Sequence, residues 1–246
     1  MRRGLLIAGL GAYILGLIAT APATLVDAGL RRASDGRLRL AEARGTLWSG
    51  AGLIEIRAVD GRVGVAKNLV WRFLPASLLR GQLVCEVGWD HAARPLPVTI
   101  SPTRIELANA DINLPATVLG LGVPKLAPLG LAGEVLLHVE RLSVGSAGLH
   151  GNATLQWRNA SSALAPVAPL GDYELRFEND GATTHVLLRT LQGPLQLDGK
   201  GAWANDGQPV FSAGARISPQ HQRQLAPLLR LIAVERGEGR FELPSL

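Results

Sequence analysis

The chain has a single cysteine, Cys85, in 246 residues. That excludes an internal disulfide framework and any cysteine-based zinc site. No histidine or basic residue adjoins Cys85 in sequence, so it reads as a small buried apolar residue rather than a reactive thiol. Aromatic residues make up 4% of the chain, too few for a base-stacking nucleic-acid platform. Charged residues are sparse as well, at 18%, against 47% apolar. That balance excludes a disordered chain. Gly and Pro are frequent, at 29 and 15, but without the three-residue period of collagen.

Motifs for chemistry are missing too. The sequence has no G-x-S-x-G elbow, P-loop, G-x-G-x-x-G or H-E-x-x-H. His91, His138, His150, His185 and His221 are scattered, with no pair at metal-ligand spacing. Glu134 with Glu140, and Asp172 and Glu178 with Glu174, share strand faces as ordinary wet-face charges do. The expectation is a protein with no catalytic residues, no metal and no cofactor.

What is present begins at the N-terminus. Arg2 and Arg3 precede 23 uncharged residues, Gly4 to Val26. As a helix this run measures roughly 34 Å, against about 30 Å for a hydrocarbon core. The firm part is expected over Leu5–Thr20, with Leu5, Leu6, Ile7, Leu10, Ile14, Leu15, Leu17 and Ile18 facing lipid and Pro22 loosening the far end. A cleaved signal ending near Ala21-Pro22-Ala23 is the competing reading, and both imply export. The far flank carries Arg31, Arg32, Arg37, Arg39 and Arg44, so charge alone leaves the orientation open. These arginines either touch anionic headgroups or form a solvated flank. Past residue 44 the chain is nearly neutral, so its basic balance does not describe a nucleic-acid surface.

Residues 27–246 alternate with period two. In Leu149-His150-Gly151-Asn152-Ala153-Thr154-Leu155-Gln156-Trp157-Arg158 the odd positions are apolar or Gly and the even ones polar. Asp172–Glu178 and Leu195–Lys200 repeat the pattern. Alternate side chains then face opposite sides, which favours antiparallel sheet. Further strands are expected at 38–42, 52–57, 68–73, 82–89, 96–100, 104–113, 133–142, 182–192, 208–217 and 239–243. Asp60-Gly61, Asn179-Asp180-Gly181, Gln192-Gly193-Pro194 and Asn205-Asp206-Gly207 mark turns. The fold class is mainly β: a curved antiparallel meander preceded by one transmembrane helix.

Helices are few. Leu74–Gly81 and Leu114–Gly120 repeat a Leu-Pro-Ala-Ser/Thr pattern. A third helix opens at Ser218-Pro219, with Ser218 as N-cap and Pro227 as an interruption. Gly precedes Trp48, Trp157 and Trp203 in strand-like settings, a packing pattern in which a ring lies over neighbouring backbone. The small-residue stretch Asn159–Pro166 reads as a linker. Residues 1–26 are the anchor and 27–246 the body, with candidate halves 27–158 and 170–246 on either side of it.

Gly45-Thr46-Leu47-Trp48-Ser49-Gly50, then Trp71-Arg72-Phe73-Leu74-Pro75 with Leu78-Leu79-Arg80-Gly81, follow the N-terminal segment. With Ala168-Pro169-Leu170-Gly171-Asp172-Tyr173 and Leu225-Ala226-Pro227-Leu228-Leu229, this pattern resembles the type II secretion system protein N family of Gram-negative bacteria. It is also similar to the broader AsmA-type envelope proteins. The motif residues Trp48, Trp71, Pro75, Gly81, Trp157 and Trp203 are packing residues. The resemblance implies an inner-membrane anchor, a periplasmic body and an accessory role beside other type II secretion components. The AsmA likeness implies the alternative, lipid handled in an apolar groove. No nucleic-acid partner is expected.

Overall fold

A computed structural model describes residues 2–57, 63–89, 95–122, 124–145, 148–204, 207, 210–237 and 240–243. The chain divides into two compact units, Met1–Pro95 and Leu96–Leu246.

The first unit opens with α1 (Arg2–Ala19) and α2 (Thr24–Ala33). A four-strand antiparallel meander follows: β1 (Leu38–Gly45), β2 (Ser49–Arg57), β3 (Val63–Leu74) and β4 (Leu83–Trp89). A 3-10 turn, Pro75–Arg80, joins β3 to β4. Pro75 supplies the fixed φ at its start, and Gly81 closes it at φ 69°, the left-handed conformation that glycine adopts without Cβ strain.

α1 has 18 residues and begins with both arginines. Its uncharged part is therefore about 24 Å long, short of the ~30 Å core. Among the described residues no helix is long and apolar enough to cross a membrane. This corrects the expected transmembrane helix. The 23-residue run is not one helix, because the chain leaves helical geometry after Ala19 and Pro22 bridges Thr46.

α2 was not foreseen, since Gly29 and three charges hide it in an Arg-rich flank. Asp27 in its first turn and Arg31 and Arg32 in its last complement the helix dipole. The Asp27–Arg31 pair spans 3.4 Å.

The second unit holds ten strands: β5 (Leu96–Ile100), β6 (Arg104–Pro115), β7 (Leu131–Gly145), β8 (Gly148–Ser162), β9 (Gly171–Asn179), β10 (Thr183–Gln192), β11 (Leu195–Ala204), β12 (Phe211–Ile217), β13 (Val234–Gly237) and β14 (Arg240–Leu243). Pairing is antiparallel between chain neighbours up to β12, which pairs with β14, and β13 lies outside β14. The expected meander is therefore present. The expected linker is not one, since Asn159–Ser162 complete β8 and Ala160 pairs with Gly171.

Two helices accompany these strands. α3 (Thr117–Gly122) starts after Leu114 and Pro115, which end β6 instead of opening the helix. α4 (Gln222–Ile232) follows a 3-10 turn, Pro219–His221, and continues through Pro227. Pro227 removes one helical bond, but Leu225 and Leu229 are fully buried, and packing of that face holds the helix. They sit in a cluster with Leu170, Leu195, Ala215, Ile217 and Phe241. Ser218 does not cap by its side chain; its hydroxyl meets His221 Nδ1 at 2.9 Å.

Register places Leu137, Leu155, Leu175 and Leu188 in one row across β7–β10. All four are half-buried. On β8, Leu149, Ala153, Leu155 and Trp157 take the expected face but are half-buried, not core. Full burial falls at Ala110, Val135 and Val139 on β6 and β7 and in the cluster with α4, at positions such as Leu195 and Ala215.

Candidate functional site

In the first unit the tryptophans organise one end of the meander. Trp71 on β3 stands opposite Gly50 on β2. A Cβ on Gly50 would run into the Trp71 ring and the Arg44 carbonyl. The missing side chain thus lets the indole lie against the neighbouring strand, where it is 3% exposed. Its Nε1–H donates to the Leu47 carbonyl at 3.1 Å. Trp48 donates to the Ile18 carbonyl at 2.8 Å, tying the end of α1 to the β1–β2 turn. Phe73 meets Trp48 edge-on at 6.3 Å, and its N–H donates to the Trp48 carbonyl.

The expected pairing of each Trp with the Gly preceding it is corrected. Gly45 is crowded by Ser49 and Gly50 backbone, and Gly151 by Arg141 backbone at a bulge of β7. Trp203 alone packs by its own strand's glycine, Gly201. Trp157 donates to the Ala132 carbonyl at 3.0 Å and lies 5.8 Å from Tyr173.

An open strand edge, with unpaired N–H and C=O groups, can dock a partner strand. The outer edge of β1 is instead taken by its own chain. Leu40 N–H donates to Asp27 Oδ1 at 2.8 Å, and Leu38 N–H to Ser34 Oγ at 2.9 Å. α2 thus covers an edge that would otherwise recruit a strand. β13 is four residues long and carries Glu235 and Arg236, ion-paired to Arg230 and Glu242. Short, charged edges are blunted against pairing.

The most developed polar cluster lies on the face opposite the leucine row. Glu174 is 4% exposed and receives Arg176 at 2.8 Å, Arg189 at 2.7 Å and Gln156 at 3.1 Å. Burial pushes its carboxyl up, but the hydrogen bonds of Gln156 and Arg176 and the charges of Arg176 and Arg189 outweigh this and hold it below the usual range. Sequence reasoning placed Glu174 among wet-face charges, because the partners that bury it come from other strands. Beside it lies an open hollow of about 460 Å³, lined in part by Arg176, Glu178, His185, Leu187, Lys200 and Val210.

The remaining titratable groups are separate. Asp111 and His138 approach to 2.6 Å on exposed positions of β6 and β7. Tyr173 donates to the Leu195 carbonyl at 3.0 Å, and burial raises its phenol. Cys85 is buried, and burial raises its thiol as well. His91 lies outside the described residues. Among the described residues no three His, Cys, Asp or Glu side chains form a group able to hold a metal ion.

The membrane-facing candidates Leu5, Leu6, Ile7, Leu10, Ile14, Leu15, Leu17 and Ile18 all lie on α1. Leu10, Tyr13, Ile14, Leu17 and Ile18 are exposed. Pro75 and Gly81 bracket the β3–β4 turn. A family model described as type II secretion system (T2SS), protein N matches residues 36–244. No curated protein and no solved structure matches the chain.

Proposed function

The chain belongs to the type II secretion system protein N family, and on that premise we propose that it is an accessory structural component supporting protein export across the outer membrane. It acts by binding other parts of the apparatus, without covalent chemistry. The observation that carries this reading is the row Leu137, Leu155, Leu175 and Leu188, half-buried in the free chain. Such a row gains by being covered. Both outer edges, β1 and β13, are covered or blunted, so the partner meets a sheet face rather than a strand edge.

The N-terminal segment attaches the protein to the inner membrane, with the body in the periplasm. Support comes from the uncharged run behind Arg2 and Arg3 and from the exposed apolar side chains along α1. Reporter fusions after residue 60 test the orientation. A periplasmic reporter active there, with a silent cytoplasmic one, is the expected result.

Loss of the protein reduces secretion of type II cargo and weakens recovery of apparatus components from detergent-solubilised membranes. Unchanged secretion and recovery would refute the reading. Phospholipid co-purifying at near one-to-one stoichiometry would overturn this reading and point to lipid handling in an apolar groove.

A further inference from the structure

Leu79 is 92% exposed, and Leu78 and Leu74 beside it are also exposed. They belong to the Leu-Leu-x-Gly motif, yet neither leucine of that pair packs into the fold. Ser77 holds the turn that presents them, donating to the Leu74 carbonyl at 2.6 Å and accepting Val84 N–H at 3.0 Å. Gly81 N–H closes it on the Leu78 carbonyl at 2.9 Å. The display is thus built by backbone and side-chain bonds within the first unit.

The turn sits at a particular end of that unit. β2 and β3 pair through Ser49 and Arg72, and β3 and β4 through Leu74 and Val84. The β1–β2 and β3–β4 connections therefore lie at the same end of the meander. α1 finishes there too. Leu47 N–H donates to the Ala21 carbonyl, and Trp48 to that of Ile18. Trp48 then carries Phe73, whose chain continues directly into Leu74. An apolar helix end, an amphipathic indole, a phenyl ring and three exposed leucines are collected on one end, with Arg80 exposed beside them.

We infer that this end of the first unit is a membrane-interface collar: Trp48, Phe73, Leu74, Leu78 and Leu79 enter the headgroup and upper acyl layer of the bilayer that receives α1. The occupant is lipid because of what α1 is. Its described side chains between Gly9 and Ala19 are exposed and apolar around the helix, as for a helix immersed in hydrocarbon. Its uncharged length is about 6 Å short of the ~30 Å core. A helix too short to cross, buried by its apolar side chains, leaves its end and the groups tied to it near the interface, where Trp is favoured for its apolar body and polar N–H. Trp48 is tied to α1 one residue from its last helical turn's end, and the Leu-Leu turn extends the same apolar surface sideways.

This inference rests on the membrane attachment proposed above, and the test separates the two. Full-length protein carrying Cys85→Ala receives single nitroxide labels through Leu79→Cys, Ile14→Cys and Ala66→Cys. Each variant is reconstituted in vesicles of phosphatidylethanolamine and phosphatidylglycerol. Collision with oxygen, which concentrates in lipid, is compared with collision with a water-soluble nickel chelate. The expected result is a severalfold oxygen preference at positions 79 and 14, and a nickel preference at exposed position 66 of β3. A nickel preference at 79 with oxygen preference at 14 overturns the collar and leaves the attachment standing. Nickel preference at both overturns both. A label at 79 that is wet in vesicles but shielded in native membranes assigns the turn to a protein partner and also overturns the collar.

Discussion

Glu174 on β9 stands directly opposite Gln156 on β8 and directly opposite Arg189 on β10, and both side chains bond to its carboxylate. Three strands are thereby tied by one acidic group on a face that is otherwise solvated. Arg176, two residues along the same strand, closes the cluster. Its two arginines are about half exposed, so solvent weakens each pair. The hydrogen-bonded set around a buried acceptor still outweighs an exposed ion pair.

Glu174→Gln should lower the unfolding free energy by about 1–3 kcal/mol, read by urea titration. The pH dependence has a fixed sign. The folded carboxylate holds its proton less readily than the unfolded one, so the stabilisation is full above the ordinary glutamate value of about 4.3. It is lost as pH falls through the lower folded value. The gap between wild type and Glu174→Gln should therefore shrink on acidification below about pH 4. A gap independent of pH would mean that the carboxylate's charge contributes nothing.

Gly50→Ala should destabilise the first unit by about 1–3 kcal/mol or more, because overpacked sites force neighbours from their rotamers. The added methyl group meets backbone at Arg44 as well as the Trp71 ring, so moving one side chain does not relieve it. Thermal unfolding followed by tryptophan fluorescence measures the loss. Gly81→Ala has open space around its Cβ but a φ of 69°, and should cost about 1 kcal/mol. A negligible loss at Gly50 would show that the Trp71 ring and the Arg44 carbonyl yield to the added methyl group.

The sheet was legible because period two needs only local alternation. Strands expected at 96–100 and 104–113 appear as β5 and β6 with nearly the same limits. β13 was not legible: four residues, Val234-Glu235-Arg236-Gly237, hold no alternation to read. α2 was hidden by Gly29 and its charges, and forms against β1 through Asp27. Register was the larger gap. That a tryptophan needs a glycine neighbour is a local idea, but the glycine under Trp71 is Gly50, across the ladder. The burial of Glu174 has the same origin, since Gln156 and Arg189 lie 18 and 15 positions away in sequence. Of the proposed collar, the apolar N-terminal run, Trp48 and the Leu78-Leu79-Arg80-Gly81 motif were visible in sequence, but not that the leucines stand clear of the fold.

Leu225→Ala should cost about 2–5 kcal/mol, the range for a fully buried leucine, since the residue is wholly enclosed in the cluster beneath α4. Leu187→Ala, at 48% exposure, should stay within about 0.5 kcal/mol. Denaturant midpoints of the two variants decide. A small loss at Leu225 would show that α4 is an appendage rather than the cover of β11, β12 and β14.

The non-enzymatic reading makes its own demand on the histidines and the cysteine. The described ones are distributed: His138 pairs with Asp111, His221 with Ser218, and Cys85 is buried with a raised thiol. A raised thiol holds little thiolate at neutral pH and is a poor nucleophile. A binding protein should tolerate the loss of each. Alanine at His91, His138, His150, His185, His221 or Cys85, one at a time, should leave secretion of type II cargo at the wild-type level. Complementation of a strain lacking the protein, with abundance checked by immunoblot, supplies the readout. A charge introduced into the leucine row, by Leu155→Glu, should lower secretion and co-recovery of partners together, with circular dichroism reporting whether the sheet persists. One alanine variant that abolished secretion while folded and abundant would overturn the reading, because a single titratable side chain would then carry an activity that a binding face does not need.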